Sequence, residues 1–296
     1  MNYLFKRTKL VRFLIYLNRW YNAIIIKKTI CTIPTINNPN VLRTSFELED
    51  ITSFKTNSIY LLNENNLLVK VDIVNENNNL SEQIKSIINN LIINNQDIPK
   101  GLKGYLEQNT KVLNININNG LLTLELNKFN ENNISVTGLS YSLLELKGIN
   151  KLKIMVNGKN LRNYNIIDKS IGINNEYLFH DRNGINKVVV YYLDNIYDTY
   201  YFVPVTKYLN DKREKIEIIV DELKNNQELI SMVDSNLKLL NYQEEGNVLF
   251  LNFNNELVNS NETVINAIAY SSFANYDVNM VMFEVNNKKF DYRKRD

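Results

Sequence analysis

Cysteine and histidine are almost missing from this chain, with one of each, Cys31 and His180. A single cysteine excludes an internal disulfide and any Cys-based metal cluster. One cysteine with one histidine also falls short of a typical zinc site, which needs three or four such ligands. Glycine (9) and proline (4) are scarce for 296 residues, and no Gly-rich phosphate loop appears. Charge of one sign is missing too. Lys+Arg total 34 against 32 Asp+Glu, a formal charge of +2. A dedicated nucleic-acid binder carries a basic stripe, so no nucleic-acid partner is expected.

Asn, Ile, Lys, Leu and Tyr are abundant instead, the pattern of AT-rich codons in a low-GC bacterium. Asn-rich runs such as Asn77-Asn78-Asn79 alternate with periodic segments, so they read as turns replacing Gly and Pro. The hydrophobic fraction of 44% supports two domains of ordinary size.

A duplication organises the rest. Ile84, Ile87, Ile88 and Leu91 share one helical face, and Ile216, Ile219, Val220 and Leu223 repeat that spacing roughly 130 residues later. A second match is Ser140-Tyr141-Ser142, Asn150, Val156-Asn157 and Lys159. It aligns without a gap on Ala269-Tyr270-Ser271, Asn279, Val285-Asn286 and Lys288.

In the first unit, Ser58–Leu62 and Leu67–Val74 read as a hairpin across Asn63-Glu64-Asn65-Asn66. Ser81 is the expected N-cap of a helix reaching about Ile93. Asp97 to Gly101 is a loop. Alternating strands then flank Asn118-Asn119-Gly120, a turn sequence that tolerates positive φ. A second helix, about Ile134 to Lys147, shows Val136, Leu139 and Leu143 on one side and stops at Gly148. Leu152–Val156 is the last strand. In the second unit Val188–Leu193 and Tyr200–Val205 form the hairpin. Asp211 with Glu214 reads as a capping box for a helix ending near Lys224. Asn236–Asn241 and Val248–Phe253 straddle Glu244-Glu245-Gly246. Glu262–Ala274 is the second helix and Val278–Val285 the last strand. The expected fold is α+β: two similar small domains, each a mixed sheet with two helices packed on one face. Boundaries fall at 1–30 (an N-terminal apolar and basic segment), 31–56 (a linker), 57–160, a connector 161–186, 187–290, and a basic tail 291–296.

The N-terminal segment 10–26 is apolar with Lys6, Arg7 and Lys9 before it, the layout of a signal anchor. Arg12, Asn18, Arg19 and Asn22 interrupt it, and a central charge costs ~2.5–3.5 kcal/mol on insertion. It is also short beside the ~20 residues a spanning helix needs. A degenerate anchor, an interfacial helix with Trp20 at headgroup level and a cytosolic extension all fit. The expectation is membrane association with extracytoplasmic domains.

No catalytic, cofactor-binding or metal residues stand out. His180 beside Asp181, with Ser170 in reach along the chain, reads more simply as a solvated loop histidine. Glu47, Glu49 and Asp50 read as a solvated acidic stretch. Ser271-Ser272 falls in a helix rather than a nucleophile elbow.

Further residues resemble a known family: Gly101-Leu102-Lys103, Thr110-Lys111-Val112-Leu113, Asn119-Gly120-Leu121-Leu122-Thr123-Leu124-Glu125-Leu126 and Lys151-Leu152-Lys153-Ile154 with Val156-Asn157-Gly158-Lys159. In the second unit they are Phe202-Val203-Pro204-Val205-Thr206-Lys207-Tyr208 and Ile218-Ile219-Val220-Asp221-Glu222-Leu223. The chain from about 57 to 290 is similar to the tandem GerMN domains of sporulation and spore-germination proteins. That resemblance implies a membrane-anchored, extracytoplasmic protein whose fold is similar to the ring-building motif of secretion and sporulation channels. It also implies no enzymatic activity and no cofactor, with other envelope or sporulation proteins, or a second copy, as partners. Two other classes fit the residues less well: a cytosolic ligand- or RNA-binding tandem module, and a cell-wall hydrolase, which would need a carboxylate pair in one concave pocket.

Overall fold

The computed structural model describes residues 56–74, 79–224, 229–230 and 233–295. The apolar segment 10–26, Cys31, the acidic stretch at Glu47–Asp50 and the linker up to residue 55 lie outside the described residues. The compact unit that holds both repeats runs from Ser53 onward.

The first repeat opens with the hairpin β1 (Thr56–Leu62) and β2 (Leu68–Val74). Helix α1 (Leu80–Asn90) follows, then β3 (Val112–Asn118), β4 (Leu121–Leu126), α2 (Asn133–Leu144), β5 (Lys151–Val156) and the short β6 (Lys159–Asn160). Strand β7 (Glu176–Leu178) lies in the connector. The second repeat is β8 (Asn186–Ile196), β9 (Thr199–Leu209), α3 (Lys215–Lys224), β10 (Leu239–Glu245), β11 (Val248–Phe253), a 3-10 turn (Asn255–Asn259), α4 (Glu262–Asn275), β12 (Met280–Val285) and β13 (Lys288–Lys294).

Each repeat builds one four-stranded mixed sheet, β3-β4-β5-β6 and β10-β11-β12-β13, whose two central strands run parallel. The parallel pair needs a crossover, and α2 or α4 supplies it. Alternation sets the faces: Leu122, Leu124 and Leu126 are fully buried while Leu121, Thr123 and Glu125 are half-buried. The opening hairpins form a sheet of their own. The two hairpins meet where Lys70 of β2 pairs with Phe202 of β9, so the shared sheet runs β1-β2-β9-β8 with β7 also on β9. Helix α2 therefore touches β1 on one side and β5 on the other, and α4 lies likewise between β8 and β12. This explains why Ser135 to Leu144 is buried without a break, beyond the one-sided face that Val136, Leu139 and Leu143 mark. A helix covered all round carries small polar groups in place of a charged face.

Those polar groups explain the Tyr-Ser match between repeats. Ser142 Oγ donates to the Gly138 carbonyl at 2.8 Å and accepts the Tyr60 amide at 2.9 Å. Ser271 Oγ donates to the Ala267 carbonyl at 2.7 Å and accepts the Tyr191 amide at 2.9 Å. Gly138 is required here, since a Cβ would lie 2.5 Å from the Tyr105 hydroxyl.

Equivalent residues of the two repeats also meet each other. The Tyr60 and Tyr191 hydroxyls are 3.1 Å apart, and Asn63 Nδ2 donates to Asp194 Oδ2 at 2.8 Å. Contacts between equivalent residues are what a local two-fold axis produces. The repeats are thus packed as an internal pseudo-dimer about the shared sheet.

Several expected boundaries move, each for a visible reason. The N-cap of α1 is Asn79, whose side chain accepts the Ser81 amide at 2.8 Å. The helix stops at Asn90 because the Leu91 carbonyl is taken by the Tyr105 and Leu106 amides. Helix α2 ends at Leu144, and Gly148 (φ +86°) turns the chain after it. The Asp211–Glu214 box does not form: Asp211 holds Arg213, and the Glu217 carboxylate accepts the Glu214 amide just before Lys215. Strand β10 starts at Leu239, since Asn236 and Lys238 are clamped by Asn254. The basic tail is largely strand β13, antiparallel to β12.

Candidate functional site

The connector helps to build a concavity between the repeats. Asn174 (φ +46°) sits between the hairpins. Its Oδ1 accepts the Leu68 amide, and its Nδ2 donates to the Leu68 and Pro204 carbonyls. Ile173 is locked beside it, donating to Thr206 Oγ1 at 2.9 Å and accepting the Thr206 amide at 2.8 Å. A groove of ≈ 810 Å³ opens next to this clamp, between the β1–β2 turn, the first turns of α2, β7, β9 and α3.

Lys207 forms its floor. It is only 7% exposed, and its ammonium lies 3.0 Å from Glu176 and 2.8 Å from Glu222. The Tyr192 hydroxyl donates to Glu222 at 3.1 Å. Burial alone would pull the lysine down, but the hydrogen bonds to Glu222 and Glu176 outweigh it, so its pKa lies above the ordinary lysine value. Thr137 Oγ1 and Asn175 Oδ1 on the groove wall are buried without a hydrogen-bond partner among the described residues. Tyr177 stands at the rim, stacked on Tyr208 with centroids 5.0 Å apart. The groove therefore offers carboxamide and hydroxyl groups around a triad of one ammonium and two carboxylates.

A second groove, ≈ 590 Å³, lies over the pseudo-axis. Its floor is aromatic, with Tyr141, Tyr191 and Tyr270, and its rim carries Lys70, Lys147, Lys169, Lys294 and Arg295 against Glu145. Burial pushes the Tyr60 and Tyr191 hydroxyls well above the tyrosine range, so the hydroxyl pair between repeats stays neutral. Most of the rim cations have partners: Lys70 with Asp72, Lys169 with Glu145, Arg295 with Asp277 and the Phe273 carbonyl.

His180 lies apart from both grooves. Its side chain is 80% exposed and lies 3.2 Å from Asp181, and its amide donates to Asn210 Oδ1 at 2.9 Å. Ser170 is held in its own turn by Asp168, and its carbonyl accepts Lys187. Ser271 and Ser272 are buried and donate to helix carbonyls. Among the described residues, no three His, Cys, Asp or Glu side chains gather as metal ligands, and no helix is long and apolar enough to cross a membrane.

The Lys207–Glu176–Glu222 triad was not singled out from sequence. One signal was there: a lysine following the apolar run Phe202–Val205 in a strand, where a charge must find a partner.

The fold and site define a duplicated α+β protein whose halves are joined by a shared sheet and a clamped connector. The family profile described as sporulation and spore germination, Germane, matches residues 58–162 and again 189–291, and the chain belongs to that family. Among solved structures, the tandem GerMN domains of the sporulation protein GerM from Bacillus subtilis are similar over 82% of this chain and 98% of that one. The TM-score is 0.72 at 21% identity, which gives the fold. A lipoprotein from Clostridium perfringens, described there as putative, aligns at 17% identity over 41% of this chain and 92% of its own, with a TM-score of 0.26 that supports no further reading. No curated protein sequence matches.

Proposed function

We propose that the protein is a non-enzymatic, two-module interaction protein acting in sporulation, germination or envelope assembly. Residues 10–26 associate with the membrane and the tandem modules lie outside the cytoplasm. The observation that carries this reading is the doubled family match over two repeats packed into one body. Such a body offers outer surfaces to envelope or sporulation proteins. Its ionisable clusters support the same view, because they are used to hold the fold: Lys207 is bound by two carboxylates and His180 pairs with its neighbour.

Fractionation with protease protection of intact cells tests the location. Digestion of the tandem modules from outside is expected, and full protection with the protein in the soluble fraction would overturn the envelope reading. Deletion of the gene tests the process: a defect in sporulation, germination or envelope integrity is expected, and wild-type behaviour in all three would remove this proposal.

One observation speaks for the hydrolase alternative. Glu176 and Glu222 are two carboxylates in one concave groove. A glycosidase pair needs one carboxyl that can hand over a proton, whereas here a single ammonium bridges both. The full chain is therefore expected to release no soluble fragments from peptidoglycan. Release that Glu222→Gln abolishes would reverse that conclusion.

A further inference from the structure

Sheet edges are aggregation templates, and proteins blunt them with charge or cover. Most edges of this protein are blunted visibly. On β8, the Asn275 side chain takes both the amide and the carbonyl of Val189, and Ser271 takes the Tyr191 amide. On β1, Ser142 takes the Tyr60 amide. Strand β13 carries Lys288, Lys289, Asp291, Arg293 and Lys294, and β6 has only 2 residues.

Strands β3 and β10 are the matching edges of the two four-stranded sheets, and they differ. Both have a bulge at the same place, leaving Leu113 and Leu240 each 52% exposed. Beyond the bulge, Ile115 pairs with Leu124 and Ile117 with Leu122, while Tyr242 pairs with Leu251 and Glu244 with Leu249. Ile117 and Glu244 are therefore equivalent positions on the core-facing side. The second repeat places a charge there, a known edge defence, and follows it with Glu245. The first repeat has Ile117, 37% exposed, and no charge anywhere in Val112–Asn118. Among the described residues, no strand pairs with the outer edge of β3.

We propose that β3 pairs with β3 of a second copy, antiparallel and centred on Asn116, joining two four-stranded sheets into one of eight strands. In that register Ile115 faces Ile117 of the other copy, twice, and Asn114 faces Asn118. The parity keeps all four isoleucines on the buried side, because Ile115 and Ile117 share the face of Leu122 and Leu124. The charges permit it. The two Lys111 side chains fall at opposite ends of the ladder, about 33 Å apart. The same pairing through β10 would gather Glu244 and Glu245 from both chains into one ladder, which like-charge repulsion opposes. A single strand pair makes a small interface, so the dimer belongs to the weak, transient class. The inference rests on the edge geometry alone and stands or falls apart from the proposed cellular role.

The test uses the full chain in mild detergent in a Cys31→Ser background. Opposed residues in an antiparallel ladder have Cα atoms about 4.5–5.5 Å apart, within disulfide reach. Asn116→Cys is therefore expected to form a covalent dimer under mild oxidation at least about tenfold faster than Gln243→Cys, the equivalent position on β10. Sedimentation velocity should show concentration-dependent dimerisation that Ile117→Glu weakens by about tenfold or more, with an unchanged thermal midpoint. Equal cross-linking rates, cross-linking in cells to a different polypeptide, or dimerisation unaffected by Ile117→Glu would each overturn the proposal. If Ile117→Glu fails to fold, the cysteine comparison decides alone.

Discussion

The two repeats of this protein are alike inside and unlike at their rims. Inside, the correspondences reach single hydrogen bonds. Ser142 and Ser271 each tie a buried helix to the strand beside it. Asn127 clamps Lys111 and Asn109 as Asn254 clamps Lys238 and Asn236. Asn132 and Asn261 cap the second helix of each repeat through their side chains. The turns after β5 and β12, Asn157-Gly158 and Asn286-Asn287, both take positive φ at two positions, the two-residue hairpin geometry. At the rim, Ile117 stands where the second repeat has Glu244. The fold is thus set by groups kept twice, and any division of labour between the modules belongs to groups kept once, such as the Lys207 triad and the β3 edge.

The most disruptive way to probe the likeness is to cut the same hole in each core. Leu124→Ala and Leu251→Ala remove fully buried, equivalent side chains and should each cost about 2–5 kcal/mol. Because the hairpins share one sheet, either change should lower a single thermal transition of the tandem unit. Two separated transitions, each sensitive to one substitution, would mean the repeats unfold independently. Removing the hydroxyl of Ser142 or Ser271 comes next. Each Ala variant strands a buried strand amide, an expected loss of about 1–3 kcal/mol by denaturant titration, and the two losses should agree.

Lys207→Met probes a group found only once. It leaves Glu176 and Glu222 facing each other without a cation. Their partial exposure reduces the penalty usual for a broken buried pair to about 1–2 kcal/mol. A neutral or stabilising effect would show that the triad does not hold the junction. The smallest effect concerns pH. Hydrogen bonds from the Arg213 side chain and backbone hold the Asp211 carboxyl below the usual range. A depressed carboxylate stabilises the fold above its unfolded value, about 3.9, and that contribution fades as pH falls through the lower folded value. The advantage of the native chain over Asp211→Asn should therefore be present at pH 7 and shrink below about pH 4. An advantage that persists in acid would exclude the ionised carboxylate as its source.

Much of this was legible in the sequence where the signal is local. The hairpins, the helix faces of Ile84–Leu91 and Ile216–Leu223 and the duplication follow from periodicity and turn chemistry, and the family resemblance is borne out. The shared sheet was not legible. It depends on one pairing, Lys70 with Phe202, between strands far apart in the chain, and no local pattern encodes that. Strand β13 looks like a basic tail in the sequence because edge strands carry charge for defence. Strand β7 gives no signal in the sequence, because three residues carry no period. At the groove, Asn174 looked like one more asparagine among many, and only the fold shows it bonded to both hairpins. Ser81 was the plausible cap, but Asn79 sits one residue before the first helical turn and takes that place.

Native-state hydrogen exchange at the Tyr60 and Tyr191 amides tests most directly whether the duplicated halves form one body. Both amides are held by an equivalent helix serine next to the shared sheet. Equal opening free energies for the two, close to that of global unfolding, are predicted. A Tyr60 amide that opens about 2 kcal/mol or more below the Tyr191 amide, or the reverse, would contradict a single cooperative unit.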